Sequence, residues 1–281
     1  MKKKFLVVVL AIIFLAFTYP IIGPSHILSK QFVIEQLKQP SSKFFKWNGL
    51  DIHYTDEGNG TPLVMVHGFT GSHRNFQKLT EMMQNKHRII RVDLPGFGLS
   101  DFPENDEDFL KMYQNFMADF VAHLNLKEYY LIGNSMGGGI CCMHAEKHPE
   151  GMKGLVLLAS AGYDMQNAKK NAVLILRFNV VEKLLSNGIP LLFNQNAAKR
   201  IFFNHELINE DEVKIKNMIW NKEGNLKAIF RLAQTEIFPD ESLIKNIQVP
   251  TLVIWGKQDE ILNVKYAANF KRDITNCRLE L

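Results

Sequence analysis

Five residues in the middle of the chain could carry chemistry: Gly133-Asn134-Ser135-Met136-Gly137. Residues 129–132 precede them as a short apolar run that reads as a strand. Residues 136–147 follow and read as a helix, stopped by His148-Pro149. A serine on a tight turn between strand and helix has its hydroxyl lifted clear of the sheet. The helix N-terminus behind it favours developing negative charge. Gly133 and Gly137 remove side chains that would crowd the turn. This context predicts attack by Ser135 on an acyl carbon. Val66-His67-Gly68-Phe69-Thr70-Gly71 follows an earlier buried strand. Acyl transfer needs two N–H donors aimed at the oxyanion that forms. The amides of Met136, next after the serine, and of Phe69 are the candidates.

These residues need a scaffold, and the flanking pattern supplies one. Residues 44–50 and 51–56 alternate as an antiparallel strand pair about Asn48-Gly49. Residues 63–66, 88–92, 155–159 and 251–255 read as buried strands, and 278–281 as the start of a last one. Residues 108–124 have helical spacing, with Phe109, Met112, Phe116, Phe120, Val121 and Leu124 on one face, and 264–272 form another helix. Such alternation predicts an α/β fold, a mostly parallel sheet with helices on both faces. Residues 161–247 break the rhythm with apolar patches such as Val173-Leu174-Ile175-Leu176 and Ile201-Phe202-Phe203, and read as an inserted helical cap.

Taken together, His67-Gly68-Phe69, Asp93-Leu94-Pro95-Gly96-Phe97-Gly98-Leu99-Ser100, Gly133-Asn134-Ser135-Met136-Gly137-Gly138 and Trp255-Gly256-Lys257-Gln258-Asp259 resemble the landmarks of the α/β-hydrolase fold, in its order. The resemblance spans residues 44–281. More narrowly, the N-terminal run and the stretch from Val253 to Leu281 resemble membrane-anchored monoacylglycerol lipases. The resemblance implies that Asp259 is the triad acid, with Asp164 a weak substitute. It implies the chain order serine, acid, histidine, which makes His67 a loop-shaping residue rather than the base. Dehalogenases and epoxide hydrolases of the same fold carry Asp where Ser135 stands, so the serine favours an acyl substrate. None of the nine His residues follows Asp259; the last is His205, inside the cap. The expectation is that residues 1–281 are part of a longer enzyme whose triad His and final helix lie beyond Leu281. The other readings are a natural truncation without catalysis, and a His such as His205 swinging in from the cap.

Composition bounds the rest. Residues 1–40 hold five Lys against one Glu, which accounts for the whole net charge of +4. A neutral body argues against nucleic acid as a partner. The three Cys cannot form a disulfide scaffold and read as buried small hydrophobes. No Cys-x-x-Cys or His-rich cluster suggests a metal, and the mechanism requires no cofactor. Behind Lys2-Lys3-Lys4, residues 5–23 carry no charge and would span roughly 28 Å as a helix, near the thickness of a bilayer core. Residues 1–23 are therefore read as an uncleaved signal anchor with the body on the non-cytoplasmic side; the alternative is secretion after cleavage. Residues 24–43 follow as a juxtamembrane segment: either an amphipathic stretch built on Phe32, Ile34 and Leu37, lying on the bilayer or on the body, or a plain linker. The expected function is a membrane-anchored serine hydrolase of lipid-like carboxylic esters such as a monoacylglycerol. A carbon–carbon bond hydrolase, an aminopeptidase and a catalytically inactive binding protein are the alternatives.

Overall fold

A computed structural model describes residues 26–105, 108–163, 179–235 and 240–281. The segment read as a signal anchor, Asp164 and the run 173–176 lie outside the described residues. Among the described residues no helix is long and apolar enough to cross a membrane.

Eight strands form one sheet: β1 (Ser42–Trp47), β2 (Leu50–Glu57), β3 (Thr61–Val66), β4 (His87–Val92), β5 (Tyr129–Asn134), β6 (Met152–Leu158), β7 (Thr251–Ile254) and β8 (Cys277–Glu280), in the order β1-β2-β4-β3-β5-β6-β7-β8. β1 and β2 pair antiparallel through Asn48-Gly49, both with positive φ (48° and 82°), as a two-residue hairpin turn demands. β2 meets β4 antiparallel, and all other pairs are parallel. This is the α/β architecture expected from the sequence, with β1 starting at Ser42 rather than 44.

The pleat divides the core. Val64, Val66, Ile90, Val92 and Leu131 face a large apolar cluster under α3 (Phe109–His123) and α4 (Met136–Lys147). Their alternate neighbours Leu63, Met65, Ile89 and Ile132 face a smaller cluster with Phe76. Leu79 and Met83 of α2 (Gln77–Met83) cover it. That second face is incompletely covered. Tyr130 is 37% exposed and Ile254 40%, and Leu252 is half-buried, so β7 is not the fully buried strand its apolar run predicts. An apolar run reports two apolar faces, whereas burial requires something packed on each.

α1 (Lys30–Leu37) packs on the body. Its buried residues are Val33 and Leu37, one helical turn apart, while Phe32 is 43% exposed. The inward face thus runs through Val33 and Leu37 with Ile34 packed beside them, and of the expected trio 32, 34 and 37 only Phe32 turns outward. Lys30 pairs with Asp51 and Asp101. Just before the helix, the Leu28 amide donates to the Asn221 carbonyl (2.7 Å) and the Glu223 amide to the Leu28 carbonyl (2.9 Å).

Between β6 and β7 the chain builds the cap: α5 (Asn179–Leu185), α6 (Leu191–Ile201), α7 (Glu210–Trp220) and α8 (Asn225–Gln234). α8 buries Leu226, Ala228, Ile229, Phe230, Leu232 and Ala233. α9 (Lys265–Asp273) joins β7 to β8 and buries Tyr266, Ala267 and Phe270.

Candidate active site

Register puts the candidate residues along one edge. Asn134 pairs with Leu158, Leu158 with Ile254 and Ile254 with Glu280. Ser135, Ala159 and Trp255 therefore leave the sheet side by side at its carboxyl ends, where open α/β sheets bind ligands.

Ser135 connects β5 to α4 with φ 51° and ψ −119°, a conformation a side chain adopts only when its surroundings impose it. They do so from several sides. The Ser135 amide donates to Leu158 O (3.0 Å), and its carbonyl accepts from Gly138 N (2.9 Å) and Ala161 N (2.9 Å). The glycines follow from contact distances. A Cβ on Gly133 would lie 2.6 Å from Gly137 O, one on Gly137 2.3 Å from Val66 O, and one on Gly138 2.2 Å from Ser160 Oγ. α4 can thus run close under β3 and β6 only with these residues bare.

The loop after β3 meets this turn. A Cβ on Gly68 would stand 3.0 Å from Ser135 Cβ, so the backbone carrying the Phe69 amide passes beside the serine. Among the described residues, neither the Phe69 nor the Met136 amide donates a hydrogen bond. The two N–H groups and the Ser135 hydroxyl make a turn equipped for acyl chemistry.

His67 is wholly buried below that loop. Its Nε2 accepts the Leu94 amide (3.0 Å), which leaves Nδ1 to carry the proton and donate to Gly68 O (2.8 Å). Both nitrogens are thus engaged in a neutral ring, and burial holds its pKa below the ordinary histidine value. A ring so engaged shapes the loop; it has no free nitrogen for Ser135.

Asp259 lies half-buried in the loop after β7. Its Oδ1 accepts the amides of Ile261 (2.9 Å) and Leu262 (2.8 Å). Trp255 Nε1 donates to Leu262 O (2.9 Å) and closes the same loop. Ser135 and Asp259 thus follow strands two places apart, roughly 10 Å at the usual strand spacing, a gap that an imidazole between them would bridge. His205 is exposed on the cap with Nε2 on Lys199 O (3.0 Å), and the structure does not bring it to Ser135.

One buried cluster was not foreseen. Asp93, just after β4, accepts from His53 Nδ1 (2.8 Å), His73 N (2.6 Å), His73 Nδ1 (3.0 Å) and Leu99 N (2.9 Å). Gly98 lets the loop close over it, since a Cβ there would fall 2.0 Å from Asp93 Cγ. Burial works to raise the carboxyl's pKa, and the two imidazoles overcome it and hold it well below the ordinary range. The three side chains lie close enough to hold a metal ion. The carboxylate's acceptor positions are filled by N–H donors, which makes it a hydrogen-bonded joint between β2, β4 and the loop after β3, while the buried His73 Nε2 has no partner among the described residues. No local spacing announces it: the partners stand 20 and 40 residues away. Cys141, Cys142 and Cys277 are free and buried, and burial raises their thiol pKa values.

The model of the alpha/beta hydrolase fold family matches residues 61–281. The chain belongs to that family. This alpha/beta hydrolase is 28% identical to an uncharacterized hydrolase of Bacillus subtilis (strain 168), over 80% of this chain and 82% of the relative. It is 26% identical to Lipase 1 of Psychrobacter immobilis, over 80% of this chain and 71% of the relative. The structure of a meta-cleavage product hydrolase from Pseudomonas fluorescens IP01 superposes with a TM-score of 0.71 at 19% identity, over 84% of this hydrolase and 87% of that chain, which shows the shared fold.

Proposed function

We propose that this hydrolase cleaves carboxylic esters of lipid-like substrates, such as monoacylglycerols, by a serine mechanism. Ser135 attacks the acyl carbon, the Phe69 and Met136 amides receive the oxyanion, and Asp259 orients and stabilises an imidazole that lies beyond residue 281. The observation that carries the reading is the strained turn of Ser135 against the Gly68-Phe69 backbone. Strain of this kind, of order 1–3 kcal/mol, persists where geometry serves chemistry. The lipase relative and the apolar residues of the cap support a lipid-like acyl group. We further propose that residues 1–23 anchor the protein in a membrane with the body on the non-cytoplasmic side; their charge pattern supports this.

A fluorophosphonate probe tests the mechanism, applied to residues 1–281 and to the chain extended through the following codons. Labelling of Ser135 in the extended form alone supports the reading, and no labelling of either form overturns it. A panel of acyl esters tests the substrate. Preference for long acyl chains is expected; preference for short water-soluble esters, or for vinylogous diketones, would overturn the lipid assignment.

A further inference from the structure

The loop of residues 67–76 is held from the body by the two nitrogens of His67 and by Asp93 on His73. It is held from the cap as well. On α7, Trp220 Nε1 donates to Thr70 O (3.1 Å), and Arg74 Nε donates to Glu212 Oε2 (3.0 Å). Glu212 and Trp220 are eight residues apart, two turns along one helix face. The contact falls where the loop most needs support. The Gly71 amide closes a turn on Gly68 O (3.0 Å), with Phe69 and Thr70 as its central residues. Thr70 has φ 59°, the position that turns of this type usually give to glycine. A β-branched residue holds that conformation only when something outside the turn imposes it. Relaxation of Thr70 would rotate the neighbouring peptide and move Phe69.

We infer that Trp220 is a positioning residue: through its indole N–H, the cap keeps the Thr70 turn, and with it the Phe69 amide, in register with Ser135. Seating of the cap and readiness of the oxyanion site are then one event. The inference rests on the serine-hydrolase reading above.

The test uses the full-length protein and p-nitrophenyl esters. Trp220→Phe keeps a ring between Phe193 and Lys216, whose contacts flank the indole, and removes the N–H. The expected result is a kcat about 10- to 100-fold lower, below the loss seen when an oxyanion donor is deleted outright, with KM within about twofold. In a Thr70→Gly background the same substitution should cost less than about threefold, because glycine holds the positive φ unaided. Benzothienylalanine at position 220, which replaces the N–H by sulfur in the same shape, should reproduce the loss if the Phe variant folds poorly. An unchanged kcat, a change in KM alone, or an undiminished effect in the Thr70→Gly background would overturn the inference. Wild-type protein no more active than Ser135→Ala would instead overturn the serine-hydrolase reading itself.

Discussion

If the φ of 51° and ψ of −119° at Ser135 are imposed by the surrounding fold, releasing them should stabilise the protein while removing the proposed nucleophile. Two variants separate these effects. Ser135→Ala removes the hydroxyl and keeps the Cβ, hence the strain. Ser135→Gly removes both. Strain at such a residue costs about 1–3 kcal/mol. Glycine returns about 0.4–1 kcal/mol of that through the greater freedom of the unfolded chain. The glycine variant should therefore be more stable than the alanine variant by about 1 kcal/mol, near 2–4 °C in Tm for a domain of this size. Loss of the hydroxyl is common to both and cancels. Urea denaturation followed by circular dichroism, with calorimetry beside it, measures the difference. Both variants should fall to background esterase activity, a loss on the order of 10⁶. An alanine variant as stable as the glycine variant would refute the argument, because the serine would then not be strained.

Three other perturbations probe the site and the body that supports it. Asp259→Asn should lower kcat by about 10⁴ with little change in KM, as when a triad acid can no longer hold the imidazole tautomer, and steady-state kinetics on an ester reads it. Asp93→Asn removes the charge shared by His53, His73 and Leu99 inside the body and should cost about 3 kcal/mol in urea unfolding, whereas a loss below 1 kcal/mol would mean the joint is dispensable. Burial, helped by His148, lowers the pKa of His144 to about 4, and Tyr129 Oη lies 2.9 Å from its Nε2. The folded ring stays neutral while the unfolded one takes a proton near pH 6.5, so its contribution is whole above that pH and is lost as pH falls toward 4. The loss amounts to roughly 3 kcal/mol. Urea midpoints at pH 7 and pH 4.5 should converge in His144→Gln relative to wild type, and equal pH slopes would count against the assignment.

Much of this site is legible in the sequence because it is local. Ser135 follows a six-residue strand directly and opens the helix behind it, in a strand–turn–helix whose period changes from two to 3.6 and whose Gly133, Gly137 and Gly138 stand where neighbouring atoms leave 2–3 Å. The pairing of β1 with β2 follows from Asn48-Gly49 for the same reason. What tertiary structure decided is non-local. Hydropathy makes Leu252 and Ile254 apolar but says nothing of what covers them. The amphipathic pattern of α1 does not say which face docks, and packing chose Val33 and Leu37. The tautomer of His67 depends on an amide 27 residues away, the charge of Asp93 on partners 20 and 40 away, and the hold on Thr70 on an indole 150 away. A residue's type advertises what it can donate or accept. Which partner receives it depends on chain segments brought together by burial, and no spacing along the chain encodes that.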